Sequence, residues 1–273
     1  VTLLNVRNLC VDFAAHKSAA PVVKGVDLDV DVGEVVGLVG ESGSGKSLTS
    51  RAVMRLIQYP GRVTADELNF DGRDVLGMTA KDLRDFRAHD VGMVFQDPFS
   101  SLNPVYRIGA QLSETLRRNL GVNRAEARSQ AVTLLERVGI PHADRHYQSY
   151  PHELSGGMRQ RVMIALATAS KPRLLLADEP TTALDVLTQK QILELLTEMR
   201  RDLGMSMLLV SHDFGVIAQM CDRVAVMVQG AIVEAGPVAK IYDAPEHPYT
   251  KSLLAAVPRL EWVPQDNERR TSV

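Results

Sequence analysis

Gly40-Glu41-Ser42-Gly43-Ser44-Gly45-Lys46-Ser47 is the stretch on which the reading of this chain turns. It follows Val35-Val36-Gly37-Leu38-Val39, a short, continuous, β-branched run that suits a strand buried on both faces, as in a parallel sheet. A helical stretch begins near Lys46. Strand, glycine-rich loop and helix are the context in which the pattern G-x-x-x-x-G-K-S/T has physical meaning. The glycines let the backbone curl so that successive N–H groups point into one anion nest, and the helix N-terminus adds the positive end of its dipole. Lys46 then reaches the β- and γ-phosphates, and the Ser47 hydroxyl ligates Mg²⁺. The octet therefore predicts a nucleoside triphosphate site rather than a glycine-rich surface turn. A dinucleotide fingerprint fails, because the third small position after Gly43 and Gly45 is Leu48.

A triphosphate site needs a second carboxylate for the metal and a group that activates water. Leu174-Leu175-Leu176-Ala177-Asp178-Glu179 offers both where an apolar strand ends. Asp178 would hold Mg²⁺, directly or through water, and Glu179 would polarise the attacking water. Adjacent acids at a strand end usually mark a solvated terminus; the phosphate loop upstream is what changes that reading. Gln96 closes the apolar run Val91-Gly92-Met93-Val94-Phe95, and His212 follows the run Met207-Leu208-Leu209-Val210 and Ser211. Taken alone, each reads as a polar strand terminus.

Further out, Leu3 to Phe13 and Val22 to Val30 alternate apolar and polar residues as half-buried strands do. Thr181 to Leu203 carries Ile192, Leu195, Leu196, Met199 and Leu203 at helical spacing. From about Arg107 to Val138 the pattern is helical, a helical insert in an α/β domain, and it stops at Gly139 and Pro141. After Gly236 the chain is punctuated by prolines, and Gln265 to Val273 reads as a loose polar tail. The 273 residues are 45% hydrophobic and 23% charged, with 31 Lys+Arg against 33 Asp+Glu. Collagen-like, coiled-coil and disordered classes are excluded. The net charge of −2 argues against a protein held to nucleic acid by phosphate neutralisation. The longest apolar stretch, Val162 to Ala169, falls far short of the roughly 18–20 residues of a bilayer span, and the N-terminus carries no export pattern. The expectation is a cytosolic chain whose two cysteines, Cys10 and Cys221, are buried, reduced thiols.

Together these motifs resemble the nucleotide-binding subunit of an ATP-binding-cassette (ABC) transporter over nearly the whole chain. The decisive element is Leu154-Ser155-Gly156-Gly157-Met158, followed by Arg159-Gln160-Arg161, which is similar to the signature motif of that superfamily. Gly156 and Gly157 open a helix whose free N–H groups, with the Ser155 hydroxyl, form a second anion site. The resemblance implies that this site faces the γ-phosphate held by an opposite subunit, so that two ATP molecules are sandwiched in a head-to-tail dimer. It also implies roles. Gln96 touches Mg²⁺ and the attacking water, Glu179 is the catalytic base, and His212 contacts the γ-phosphate. Ala183-Leu184-Asp185 couples the two sites, and Phe13 stacks on adenine. The implied fold is α/β, a P-loop NTPase (RecA-like) nucleotide-binding domain over residues 1–236. It would have an N-terminal antiparallel β subdomain and a helical subdomain insert at about 97–160, followed by an extension and tail over 237–273.

Met158, in place of the usual glutamine, is frequent in the subgroup of oligopeptide, dipeptide and nickel importers. Gln96-Asp97-Pro98-Phe99-Ser100-Ser101-Leu102-Asn103-Pro104 resembles that subgroup's loop. Pro245-Glu246-His247-Pro248-Tyr249-Thr250, with Leu253, Leu254 and Pro258, resembles its C-terminal extension. No cysteine-rich stretch of the kind many peptide-importer ATPases carry precedes Val273, and shorter members serve nickel and other small solutes, so both solute classes stay open. The resemblance implies a second ABC ATPase subunit, two permease subunits and, indirectly, an extracytoplasmic binding protein as partners, with no nucleic acid. It places the chain peripherally on the cytoplasmic face of the inner membrane. The rivals are a soluble ABC ATPase of DNA repair or translation, whose paired cassettes, coiled-coil insertion and basic arms are missing here, and a P-loop GTPase or kinase. The latter lacks an Asn-Lys-x-Asp guanine reader and leaves the signature unexplained. His142 and His146 read as exposed loop residues, and Arg117-Arg118 and Arg269-Arg270 as solvated charge.

Overall fold

The structure is a computed structural model that describes residues 1–13, 21–182 and 184–255. In chain order, β1 (Thr2–Asp12), β2 (Val23–Asp31) and β3 (Val35–Val39) lead into α1 (Lys46–Val53). Three short strands follow, β4 (Arg62–Thr64), β5 (Glu67–Phe70) and β6 (Arg73–Asp74), then α2 (Ala80–Asp85), a π-helical turn and β7 (Val91–Val94). A helical run comes next: α3 (Pro98–Ser101), α4 (Ile108–Leu120), α5 (Arg124–Arg137) and α6 (Ala143–Tyr147). After it, α7 (Gly156–Thr168), β8 (Leu174–Asp178), α8 (Val186–Leu203), β9 (Ser206–Ser211) and α9 (Phe214–Met220) rebuild the alternation of strand and helix. The chain closes with β10 (Arg223–Val228), β11 (Ala231–Pro237), α10 (Val238–Asp243) and α11 (Pro248–Ala255).

Two sheets result. An antiparallel sheet runs β2-β1-β5-β6, with β4 also paired to β1. The second has the order β11-β10-β3-β9-β8-β7; all its neighbours run parallel except β10 and β11. The expectation of strands buried on both faces is met with period-two regularity. Val36, Leu38, Leu174, Leu176, Leu208 and Val210 point into the core shared with the antiparallel sheet. Val35, Val39, Leu175, Ala177, Met207 and Leu209 point into a second core made with α4, α5, α7, α8 and α9. A sheet sandwiched this way presents only its strand ends to ligands, which is where parallel α/β sheets bind them.

Several local expectations need correction. Helical periodicity from Thr181 suggests a helix over 181–203, but α8 starts at Val186, where the Asp185 carboxylate accepts the Thr188 N–H at 3.0 Å. The residues before it turn back on themselves, with the Thr182 N–H on the Glu179 carbonyl at 3.2 Å. The single helical pattern over 107–138 is two helices, divided at Gly121, which adopts φ 68°, and restarted by the Asn123 cap. Of the pair His142 and His146, only His142, at φ 47°, lies in the exposed turn before α6; His146 lies within that helix. Among the described residues no cluster of three or more His, Cys, Asp or Glu is placed to hold a metal. Both cysteines are free thiols but half-buried rather than fully enclosed. The ribbon β4–β6 was not foreseen, because strands of two to four residues are too short for alternation to show. No helix among the described residues is long and apolar enough to cross a membrane. The Gln265–Val273 tail, Pro258, Arg269-Arg270 and Ala183 lie outside the described residues.

Candidate nucleotide site

The phosphate loop joins the buried end of β3 to α1. Two of its glycines are demanded by geometry. A Cβ on Gly40 would stand 2.1 Å from the Met227 carbonyl oxygen, and Gly45 caps α1 at φ 105°, a conformation that L side chains rarely adopt. Between them, Glu41, Ser42, Gly43 and Ser44 form a turn closed by Ser44 N–H on the Glu41 carbonyl at 3.2 Å. Lys46 is 3% exposed, and its Nζ donates to the Gly40 and Glu41 carbonyls, both at 2.8 Å. Burial pushes the Lys46 ammonium below its ordinary pKa, against the pull of Glu179 and Asp178. Leu48 packs on the core beneath.

At the end of β8, Asp178 is fully buried, and its Oδ1 accepts the Ser47 hydroxyl at 2.7 Å. Its Oδ2 is buried with no hydrogen-bond partner among the described residues. Burial pushes this carboxyl upward, partly offset by the Ser47 bond. A buried carboxylate oxygen without a donor, beside a serine hydroxyl at the mouth of an anion nest, is an all-oxygen set that fits a hard divalent cation such as Mg²⁺.

Glu179 is the focus of a second cluster. Its backbone adopts φ 46°, an uncommon conformation for a non-glycine residue, and its N–H donates to the Val210 carbonyl at 2.9 Å, tying β8 to β9 beyond the last ladder bond. Its Oε2 accepts from Gln96 Nε2 at 3.0 Å and from the Thr182 hydroxyl at 2.8 Å, and lies 3.2 Å from His212 Nδ1. Gln96, Glu179 and His212 come from the ends of β7, β8 and β9, neighbouring strands that bring Gln96 to Glu179 across 83 positions and His212 to Glu179 across 33. Gln96 is thus brought to Glu179 and not onto the Ser47–Asp178 pair. Thr182 was missed, since a threonine in a Pro-Thr-Thr turn gives no sequence signal of its own.

The signature residues are placed elsewhere. Ser155 caps α7, its hydroxyl accepting the Met158 N–H at 3.3 Å, and Ser155 and Gly156 are exposed. A Cβ on Gly157 would meet Thr188 Cγ2 at 2.8 Å, so glycine lets α7 approach α8. Asp185 lies in the same neighbourhood; its bonds from the Thr188 N–H and hydroxyl hold its carboxyl below the usual range. Behind the signature, Arg159 is buried, donates from Nε to the Pro151 carbonyl at 2.7 Å and stacks 3.8 Å from the ring centre of Phe99. It joins α7 to the loop after Gln96, a link that sequence reading missed. Phe13 directly follows β1 at 42% exposure, so it is not a core aromatic.

The sequence pattern of the family described as ABC transporter matches residues 23–182. The chain belongs to this family. It is an ABC-type ATPase, the ATP-hydrolysing subunit of a transporter. A second family, described as the oligopeptide/dipeptide transporter C-terminal region, matches residues 233–272. This ABC ATPase is 46% identical over 260 residues to the oligopeptide transport ATP-binding protein OppD of Bacillus subtilis, covering 95% of this chain and 73% of the relative. It is 46% identical over 273 residues to the dipeptide transport ATP-binding protein DppD of Escherichia coli, covering 100% and 83%. In three dimensions it is similar to the dimeric post-hydrolysis state of the ATP-binding cassette MJ0796 bound to ADP and Pi. The TM-score is 0.77 at 27% identity, with 86% of this chain and 98% of the other covered.

Proposed function

We propose that this ABC ATPase powers the import of peptides, hydrolysing MgATP at the ends of β3, β8, β9 and β7. The observation that carries the chemistry is the convergence of Gln96, Thr182 and His212 on one oxygen of Glu179, beside the Ser47–Asp178 pair. The loop N–H groups from Gly40 to Leu48 and the Lys46 ammonium bind the triphosphate. Ser47 and Asp178 would hold Mg²⁺, with Gln96, whose amide nitrogen is on Glu179, offering its remaining oxygen as a further donor, and the ion would neutralise charge on the phosphate oxygens. The Glu179 oxygen not engaged by the three donors accepts a proton as water attacks the γ-phosphorus. The bond to the β–γ bridging oxygen breaks, giving ADP and phosphate. His212 and Gln96 orient Glu179 and line the γ-phosphate, and Phe13 packs on adenine.

Ser155, Gly156, Gly157 and Met158 supply the second anion site to ATP held by another subunit, with Asp185 at the seam, so two subunits close head to tail on two nucleotides. Residues 1–236 form this nucleotide-binding unit, with the helical insert at about 97–160 and the loop after Gln96 facing a pair of membrane permease subunits. The chain then sits peripherally on the cytoplasmic face of the inner membrane, and a binding protein outside selects the solute. The match over 233–272 supports a peptide as that solute. Co-expression with the permease genes beside its own tests the reading. The expected result is copurification with the permease and ATPase activity stimulated by a peptide-loaded binding protein; a chain that never associates with a permease refutes it.

A further inference from the structure

Glu41, the second residue of the phosphate loop, donates its backbone N–H to the Tyr249 hydroxyl at 2.9 Å, across 208 positions of sequence. The same peptide unit carries the Gly40 carbonyl, which accepts from Lys46 Nζ at 2.8 Å. This peptide is trans, and in a trans unit C=O and N–H point in opposite directions. One peptide of the loop is therefore held at both ends, by the lysine on its inner side and by the tyrosine on its outer side.

Tyr249 is itself held in place. Glu234, on β11, accepts the N–H groups of Glu246 and His247 at 2.8 and 3.0 Å, and His247 Nδ1 accepts the Tyr249 N–H at 3.2 Å. Burial acts to raise the Glu234 pKa, yet the N–H donors hold it below the usual carboxylate range, so the anchor stays charged at neutral pH. The Tyr249 ring, with Leu253 and Leu254 of α11, packs against the core beneath the sheet. β11 pairs with β10, β10 with β3, and β3 runs into the phosphate loop, so the support reaches the loop through rigid neighbours. Glu246, His247 and Tyr249 of the Pro245–Thr250 segment thus each take part in a chain of contacts that ends on the loop.

We propose that Tyr249 is a positioning residue of the nucleotide site, and that segment 245–250 of the C-terminal region belongs to the ATP-binding apparatus. This rests on the reading that the loop binds a triphosphate. When Lys46 turns from the Gly40 and Glu41 carbonyls to the phosphates, the inner tether of the 40–41 peptide is released. The outer tether to Tyr249 then keeps the loop in its anion-binding shape.

The test is Tyr249→Phe in the full chain, which keeps the packed ring and removes only the hydroxyl. One hydrogen bond of this kind corresponds to about three- to ten-fold in affinity. The Kd for a non-hydrolysable MgATP analogue and the KM for MgATP rise by that factor, and the effect falls on KM and Kd rather than on kcat. In nucleotide-free protein, amide exchange speeds up at residues 40–45 in the variant and stays at the parent's rate in α4 and α5. Parent-like Kd and exchange in a folded variant, a fall confined to kcat, or a drop in Tm with no change in Kd overturns the proposal. A parent chain that does not bind the MgATP analogue refutes the site reading itself; a parent that binds it while Tyr249→Phe binds equally well refutes only the role of Tyr249.

Discussion

The two helix ends proposed to bind anions, α1 and α7, are built on the same principle and finished differently. At α1 the side chains assigned to the chemistry are wired within the chain: Lys46 to two loop carbonyls, Ser47 to Asp178, and Glu179 to three side chains. At α7 the cap Ser155 satisfies only its own helix, and Ser155 and Gly156 face outward. A helix N-terminus with a partnered lysine and a buried carboxylate beside it is half of a reaction centre. One that stands exposed with a serine and two glycines has chemistry to offer to something outside the chain. The contrast is the physical case for two copies sharing two nucleotides.

Substitutions at the two ends should separate these functions. Removing the general base by Glu179→Gln is expected to lower turnover by about 10²–10⁴-fold, with MgATP still bound; turnover close to the parent's would end its assignment as base. Lys46→Ala deletes the ammonium from the anion nest, and the MgATP Kd is expected to weaken on the order of 100-fold, read by titration calorimetry on the isolated chain. At the other end, Ser155→Asp keeps a good helix cap but places a negative charge where a γ-phosphate would arrive. The isolated chain should bind MgATP as the parent does, while ATPase activity falls roughly 10–100-fold. Equal weakening of nucleotide binding in monomers would mean that the two ends serve one site within one chain.

A subtler contrast lies in stability. The Asp178 pKa is raised in the fold, so the native state binds the proton more tightly than the unfolded chain does. The carboxylate therefore costs stability progressively as pH rises from the unfolded pKa through the folded one, and that cost persists at pH 7. Asp178→Asn, which still accepts from Ser47, is expected to raise Tm at pH 7 while losing Mg²⁺-dependent turnover, with the gain shrinking in acid. Asp185→Ala, which removes the cap of α8, should be seen as a fall of a few degrees in Tm.

Much of this site was legible because backbone chemistry forces residue types. Only glycine fits Gly40 against the Met227 carbonyl, and only apolar β-branched runs fill strands covered on both faces, so the loop and the polar residues closing β7, β8 and β9 stand out of the sequence. What stayed hidden has no periodic or compositional trace. The left-handed turn at Glu179, which delays α8 to Val186, is invisible to a count of apolar spacings. Thr182 and Tyr249 act through single long-range or turn contacts, and the Arg159–Phe99 stack joins residues whose sequence neighbourhoods say nothing of each other. The family resemblance supplied roles for Gln96 and His212 that their own surroundings in sequence could not.

The sheet order also bears on how the protein is made. In β3-β9-β8, the strand carrying the phosphate loop and the strand carrying Asp178 and Glu179 are not hydrogen-bonded to each other; β9, synthesised after both, lies between them. Until β9 is inserted, Ser47 has no fixed path to Asp178. In a chain still emerging from the ribosome, the Glu179 cluster therefore stays incomplete until Ser211 and His212 have been made, although Ser47, Asp178 and Glu179 are already there.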